Sequence, residues 1–146
     1  MLDVEKAIRE CLKEICHMSL ATCVNNKPWV CEVHFVYDDD LNIYFHSKLD
    51  RRHSKEIKSN QFVAGNIVAQ HTLGSKVRGV YFEGGAELLN NITKGSKVYH
   101  LFKNQLNKDE KILEIPGFYK VAVENFALFD NRESNPSQKY ILPWKK

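Results

Sequence analysis

Residues 47–58 carry the densest group of basic side chains in the chain, and residues of this kind can bind a phosphate. Two acidic residues in the segment are outnumbered by Arg51, Arg52, Lys55 and Lys58, together with His53. We predict that a strand ends and a helix begins here, so free backbone N–H groups and the positive end of a helix dipole converge. Arginine adds planar, bidentate donors for phosphate oxygens. The segment therefore indicates a phosphate site, with a solvated basic helix face as the open alternative.

Two histidines, His34 and His46, fall on neighbouring predicted strands, where they would lie opposite each other. Such a pair could share a metal ion, and Glu32 is predicted on the same face. The sequence offers no evident third ligand nearby, so we favour a polar or pocket-lining role over a metal site. The sequence identifies no partner for three other histidines, His17, His71 and His100.

Signatures of other chemistries do not occur in the sequence. It has no G-x-S-x-G, P-loop or G-x-G-x-x-G motif, which argues against serine hydrolysis and against the common modes of nucleotide binding. Three aspartates at residues 38–40 are predicted to form a hairpin turn rather than a metal site. No C-x-x-C pair is present, so we predict four free, buried thiols at Cys11, Cys16, Cys23 and Cys31.

Helices are predicted where apolar residues recur at helical spacing, namely at residues 3–16, 51–59 and 93–106. Asp3 is a predicted N-cap of the first helix and Thr93 of the third. For the second helix, the predicted caps are Asp50 or Ser54. This helix would directly follow the strand that delivers the basic segment.

Strands are predicted at residues 18–24, 29–37, 42–47, 61–70, 77–90 and 119–130. Gly84 and Gly85 interrupt the fifth strand, where a bulge or bend would help a barrel to close. Six strands with helices at the start, after the third strand and before the last predict a mostly β barrel with flanking helices. Closure of the sheet would remove its open edges.

The pairing of the first three strands predicts which side chains form the core. Closing the first hairpin around residues 25–28 places Leu20 opposite Val33, and the second hairpin places Phe35 opposite Phe45. These residues share one face, which is the predicted core. The opposite face, which carries the histidine pair, is mixed and polar. A face of that kind is often covered by a ligand or a partner.

Length and composition fit a single globular domain over residues 1–146, with 43% hydrophobic and 27% charged residues. The net charge of +3 is too small to indicate a nucleic-acid partner. Neither a signal peptide nor a membrane span is recognisable, so a cytoplasmic location without a membrane partner is predicted. The apolar tail within residues 131–146, which contains Trp144, is predicted to dock on the barrel or on a partner.

Several short motifs occur in a fixed order: Leu20-Ala21-Thr22, Pro28-Trp29, Tyr44-Phe45-His46-Ser47, Arg52-His53-Ser54-Lys55 and the run at 77–84. This order resembles the FMN-binding split barrel of the pyridoxamine 5′-phosphate oxidase superfamily, and within it a small bacterial family of YhbP type. The resemblance spans roughly residues 3–130. It implies a split β-barrel with six antiparallel strands of the Greek-key type.

The resemblance further implies a homodimer that packs barrel to barrel and holds FMN in clefts at the subunit interface. It places the flavin ring near Val33, His34 and Phe35. The ribityl chain and phosphate would lie beside His46 and Ser47. The phosphate itself would be bound by Arg52, His53 and Lys55, where His53 replaces the lysine that is usual in the family. The ring would also be approached by Arg78 and Gly79.

The function implied by the resemblance is that of an FMN-dependent oxidoreductase acting on a small molecule. The substrate-binding arginine and histidine of pyridoxamine phosphate oxidases have no counterpart in residues 139–146, so oxidation of vitamin B6 is not implied. Trp144 could cover the flavin ring or simply dock on the barrel. One alternative is a non-enzymatic flavin or haem protein for storage, sensing or cofactor handling, with His34, His46 or His53 as an axial haem ligand. A ligand-free dimeric scaffold is the other.

Overall fold

Seven strands, three α-helices and one short 3₁₀ helix make up the part of the chain that the structure, a computed structural model, describes: residues 2–74, 76–131 and 139–144. In chain order they are α1 (Val4–Glu14), β1 (His17–Val24), β2 (Lys27–Tyr37), β3 (Ile43–His46), α2 (Arg52–Ser59), β4 (Phe62–His71), β5 (Val77–Leu88), α3 (Lys97–Leu106), the 3₁₀ helix Glu110–Glu114, β6 (Phe118–Asp130) and β7 (Lys139–Pro143).

The strands form a single antiparallel sheet in the order β3-β2-β1-β4-β5-β6-β7. The first residues of β6 also pair with β3, from His46 opposite Phe118 to Ile43 opposite Val121, which closes six strands into a barrel. The later residues of β6 pair with β7 instead. The prediction of a mostly β split barrel is confirmed. The predicted count of six strands is wrong, because the tail adds β7 to the sheet.

The described part of the tail packs on the barrel of its own chain. Leu142 contacts the hydrophobic core, and the indole N–H of Trp144 donates to the carbonyl oxygen of Asp40 at 2.6 Å. The Trp144 ring meets Phe126 edge-on at 5.9 Å. The rest of the predicted docking segment, residues 132–138 and 145–146, lies outside the described residues.

The first hairpin differs in register from the sequence prediction. Val24 pairs with Lys27 across a two-residue turn, so Leu20 lies opposite Cys31 rather than Val33. Asn25 and Asn26 both adopt positive φ values, 55° and 61°, and such turns match the twist of antiparallel strands. Because the register differs by two residues, every side chain keeps its predicted face.

The second hairpin has the predicted register, with Phe35 opposite Phe45. Both phenylalanines are buried in the main core inside the barrel, together with Ile8 of α1. A bulge separates Glu83 from Gly84 on β5, as predicted. A Cβ atom at Gly84 would overlap the carbonyl oxygen of Ala122, so the bulge requires glycine.

A second, smaller core lies on the outside of β2 and β3. Val36 and Tyr44 are paired there and are covered by Val98 and Phe102 of α3. The side-chain amide of Gln105 fixes α3 to β2, since it accepts from one backbone group of Tyr37 and donates to the other at 3.1 and 2.7 Å. Part of the polar outer face is therefore covered by the protein itself.

Two helix ends and the burial of the cysteines differ from what the local sequence patterns predict. Helix α3 begins at Lys97 and not at residue 93, because Thr93 and Ser96 form a turn that precedes it. Helix α2 is preceded by Arg51, and neither predicted side-chain cap is used. All four cysteines are free, but only Cys11 is buried.

None of the described helices is long and apolar enough to cross a membrane.

Candidate functional site

A cleft of about 620 Å³ opens on the outer face of β2 and β3, next to the part that α3 covers. We call it the histidine cleft, because four of the six histidines line it: His17, His34, His46 and His53. The start of α2 forms one wall. The opposite wall is formed by the end of α3 and the segment that follows it, including Leu106, Ile112 and Ile115.

The strand-to-helix junction supplies the polar end of the histidine cleft. Ser47 follows β3, and its backbone N–H donates to the carbonyl oxygen of Gly117 at 2.9 Å. Its hydroxyl oxygen lies 2.7 Å from Nε2 of His53, in the first turn of α2. Ser54 holds the junction closed, because its hydroxyl donates to the carbonyl oxygen of Lys48 at 2.8 Å. Ser47, His53 and Arg51 therefore converge on the cleft.

The charges of the histidine cleft favour an anion. Its two carboxylates are already engaged: Glu32 with Ser19 and His17 at 2.7 and 2.6 Å, and Asp109 with the backbone N–H of Lys111 at 2.9 Å. Burial raises the pKa of Glu32, but hydrogen bonds from Ser19 and His17 outweigh this and lower it. Among the described residues, no carboxylate pairs with the cationic side chains that line the cleft, those of Arg51, Lys108 and Lys111.

Two of the four histidines are shielded from solvent, since His53 is buried and His46 is half-buried. Burial lowers the pKa of His46, and Lys108 lowers it further, although the hydrogen bond between Nε2 and the carbonyl oxygen of Ile115 at 2.7 Å opposes both. Burial also lowers the pKa of His53, and the neighbouring Arg51 adds to that effect. Both imidazoles are therefore biased toward the neutral form, in which a ring nitrogen can accept a hydrogen bond.

These two pKa shifts predict how stability depends on pH. Between the lowered folded pKa and the unfolded value of about 6.5, the folded chain binds fewer protons than the unfolded one. The free energy of unfolding therefore has its full value above pH 6.5 and decreases as the pH falls below it. Urea unfolding at several pH values between 7.5 and 5.5 measures this slope. The double substitution His46→Gln, His53→Gln should flatten it, whereas His71→Gln at an exposed site should not. An equal slope in all three proteins would contradict the assignment.

The histidine cleft brings together five of the ten residues that the resemblance assigned to a cofactor. Val33 and His34 come from β2, and His46 from the end of β3. Ser47 and His53 come from the junction with α2. The histidine pair expected from the sequence does line one cavity. In the part of the chain that the structure describes, no three His, Cys, Asp or Glu side chains are grouped to hold a metal ion.

Arg52 is directed to another contact. Its Nε donates to Glu56 at 2.8 Å, and its guanidinium lies over the Trp29 ring at 4.1 Å. Glu56 in turn accepts from the hydroxyl of Thr22 at 2.8 Å. Arg52 therefore joins α2 to β1 and β2 and does not line the cleft, whereas Arg51 does.

The remaining four assigned residues also lie outside the histidine cleft within a single chain. Phe35 is part of the main core, and Lys55 lines a separate groove. Arg78 is only 6% exposed and pairs with Glu14 at 2.6 Å. Gly79 packs against Phe129. A role of these residues toward a cofactor stays a prediction.

Sequence reasoning missed several cleft residues. The hydrogen bonds of Glu32 to His17 and Ser19 were predictable from the sequence, because these residues are cross-strand neighbours on one face of β1 and β2. Lys108 and Lys111 gave no local signal. Asn107 takes a left-handed conformation, with φ of 54°, and turns the chain after α3, which helps to bring both lysines to the cleft.

Comparisons with known proteins agree with the fold described above. The sequence profile described as pyridoxamine 5′-phosphate oxidase matches residues 4–128. The UPF0306 protein PM1958 of Pasteurella multocida is 25% identical over 129 residues, which cover 88% of this chain and 85% of that protein.

Two solved structures show the same fold. An FAD-binding protein from Mesorhizobium loti superposes with a TM-score of 0.68 at 17% identity, covering 86% of this chain and 92% of that one. A heme-binding protein from Mycobacterium smegmatis superposes with a TM-score of 0.69 at 13% identity, covering 94% of this chain and 57% of that one.

Proposed function

The chain belongs to the pyridoxamine 5′-phosphate oxidase family, and from this premise we propose that it is an FMN-dependent oxidoreductase of the cytoplasm that acts on a small molecule. One observation carries the proposal. Ser47, Arg51 and His53 converge at the start of α2 on a cleft whose two carboxylates already accept hydrogen bonds from other residues. A phosphate monoester is the anion that such a donor set fits.

The histidine cleft also offers chemistry that suits a flavin. Its volume of about 620 Å³ lies within the range of small-molecule sites. Apolar side chains of Phe102, Leu106 and Ile112 line the cleft together with the polar His34 and His46, a combination that suits a ring with both apolar and polar atoms. These residues would orient the ring and exclude water, while Ser47, Arg51 and His53 would hold the phosphate. FMN, when bound, supplies the hydride and electron transfer.

A homodimer is part of the proposal, because the mixed outer face of the sheet carries exposed apolar side chains beside its polar ones. Register places Val30 opposite Ala21, and Ala21 opposite Ala64, so three strands present small or apolar side chains in one row. Val30 is 59% exposed, and the apolar Tyr81 and Ile141 lie on the same face further along. Polar residues such as Glu83 border this row, and exposed apolar side chains with a polar rim are typical of a protein interface.

FMN titration of the purified protein tests the proposal. Bound FMN should quench flavin fluorescence and, at about a hundredfold excess over Kd, raise the melting temperature by roughly 5–10 °C. Light scattering should give twice the chain mass of 16.9 kDa. The proposal would be ruled out by a freshly purified protein that is colourless, does not quench the fluorescence of added FMN and is not stabilised by it.

A non-enzymatic haem or flavin protein is the second candidate, and the four histidines in one cleft favour its haem version. A relative of the same fold is described as heme-binding, and neutral imidazole is a common axial ligand of haem iron. Haem titration should then produce a Soret band that is lost in the His34→Ala or the His46→Ala variant. Steady NAD(P)H-driven turnover with FMN would count against this candidate.

A further inference from the structure

A second concavity, which we call the α2 groove, lies between α2, the start of β4 and the end of β5. Its volume is about 890 Å³, larger than that of the histidine cleft, and the two cavities share no lining residue. A ligand bound in one cavity would therefore not contact the side chains that line the other.

The walls of the α2 groove are apolar and exposed. Leu49, Phe62 and Leu88 are 44%, 61% and 43% exposed, and all three line it together with the buried Ile57. Large apolar side chains that share one concavity are typical of a binding site rather than of ordinary surface. The groove therefore fits a ligand with an apolar body.

The rim of the α2 groove carries positive charge. Lys55 and Lys58 are one helical turn apart on α2, so both ammonium groups lie along the same side of the helix. No ion pair engages either lysine among the residues that the structure describes. Glu87 also lines the groove, and the nearby Glu56 is committed to Arg52 and Thr22, so the two lysines give the lining a net positive charge.

We infer that the α2 groove binds an anionic amphiphile, of the class of medium-chain aliphatic carboxylates. The carboxylate lies at the lysine rim, where charge-assisted hydrogen bonds form. The aliphatic chain lies along Leu49, Phe62 and Leu88, which it removes from water. The inference stands independently of the flavin proposal, because the α2 groove and the histidine cleft share no lining residue.

Calorimetric titration with decanoate, below its micelle concentration, tests the inference on the purified full chain. We expect a single decanoate per chain. Acetate, which has only the head group, should not bind measurably. Decyltrimethylammonium, which has the same chain and the opposite charge, should bind at least about tenfold more weakly than decanoate. Equal binding of the cationic and anionic amphiphiles would overturn the inference.

Substitutions at exposed positions assign the binding to the groove. Leu88→Gln should weaken decanoate binding roughly tenfold and Lys58→Gln about three- to fivefold, whereas Lys13→Gln on the exposed side of α1 should have no effect. FMN titrations of the same variants should be unchanged. Decanoate binding that Leu88→Gln leaves intact contradicts the assignment.

The oligomeric state shows whether the α2 groove binds the proposed ligand or is covered by a second copy of the chain. Light scattering of the Leu88→Gln variant should give the same mass as the parent protein. A shift to monomer together with the loss of decanoate binding would assign the groove to a subunit interface and overturn the inference. If FMN fails to bind while decanoate binds as described, only the flavin proposal falls.

Discussion

Arg51→Ala is expected to weaken FMN binding by roughly ten- to a hundredfold, with little change in stability. Arg51 lines the histidine cleft beside the hydrogen-bonded pair Ser47 and His53, and no carboxylate in the described residues neutralises it. A hydrogen bond from a guanidinium to a phosphate contributes about 1.5–3 kcal/mol, which corresponds to that loss of affinity. Fluorescence titration with FMN measures the change.

Arg52→Ala is the matched control, since it removes the same charge from the adjacent position. Arg52 is held by Glu56 at 2.8 Å and by the Trp29 ring at 4.1 Å, so its loss should affect the attachment of α2. We expect a melting temperature lower by roughly 2–4 °C and an FMN affinity within about twofold of the parent. The reverse result, with affinity lost in Arg52→Ala and kept in Arg51→Ala, would show that Arg52 leaves Trp29 to bind the phosphate.

Gly117→Ala is expected to destabilise the fold by on the order of 3 kcal/mol and to lower the melting temperature by roughly 10 °C. Gly117 has a φ of 122°, a conformation that side chains strongly disfavour. An added Cβ would also overlap the carbonyl oxygen of Ser47. The backbones of Gly117 and Ser47 are joined by a hydrogen bond at 2.9 Å, so the overlap displaces Ser47 from the cleft.

Gly85→Ala provides the control for this second prediction. A Cβ at Gly85 meets no atom within 4 Å, although Gly85 also lies in a strand of the barrel. The melting temperature of the Gly85→Ala protein should remain within about 2 °C of that of the parent. Thermal unfolding of the three proteins, followed by FMN titration well below each transition, makes the comparison. A Gly117→Ala protein as stable as Gly85→Ala would mean that the β3–β6 junction is able to open without loss of the fold.

Some elements were predictable because their causes are local. The helical spacing in α1 and the alternation in β2 and β3 assign side chains to faces, and a face survives a register difference of two residues. The bulge at Gly84 was predictable because two adjacent glycines interrupt a strand. The histidine pair of the cleft followed from the same alternation.

Other features depend on segments that are distant in the sequence. The tail forms β7 only because the far half of β6 offers an unpaired edge after its near half has paired with β3. Lys108 and Lys111 line the cleft because α3 packs on Val36 and Tyr44 and because Asn107 then turns the chain back. No pattern within either segment contains this information.

The basic segment at residues 47–58 shows where local information ends. The residue pattern is sufficient to predict that a strand brings a cluster of cations to the start of a helix. Which cation lies at which surface depends on how the helix packs on the barrel. Successive residues lie about 100° apart around a helix, and burial of Ile57 against the barrel fixes the rotation of α2. That rotation directs Arg52 to Trp29 and Lys55 to the α2 groove, whereas Arg51, the extended residue before the helix, lines the cleft.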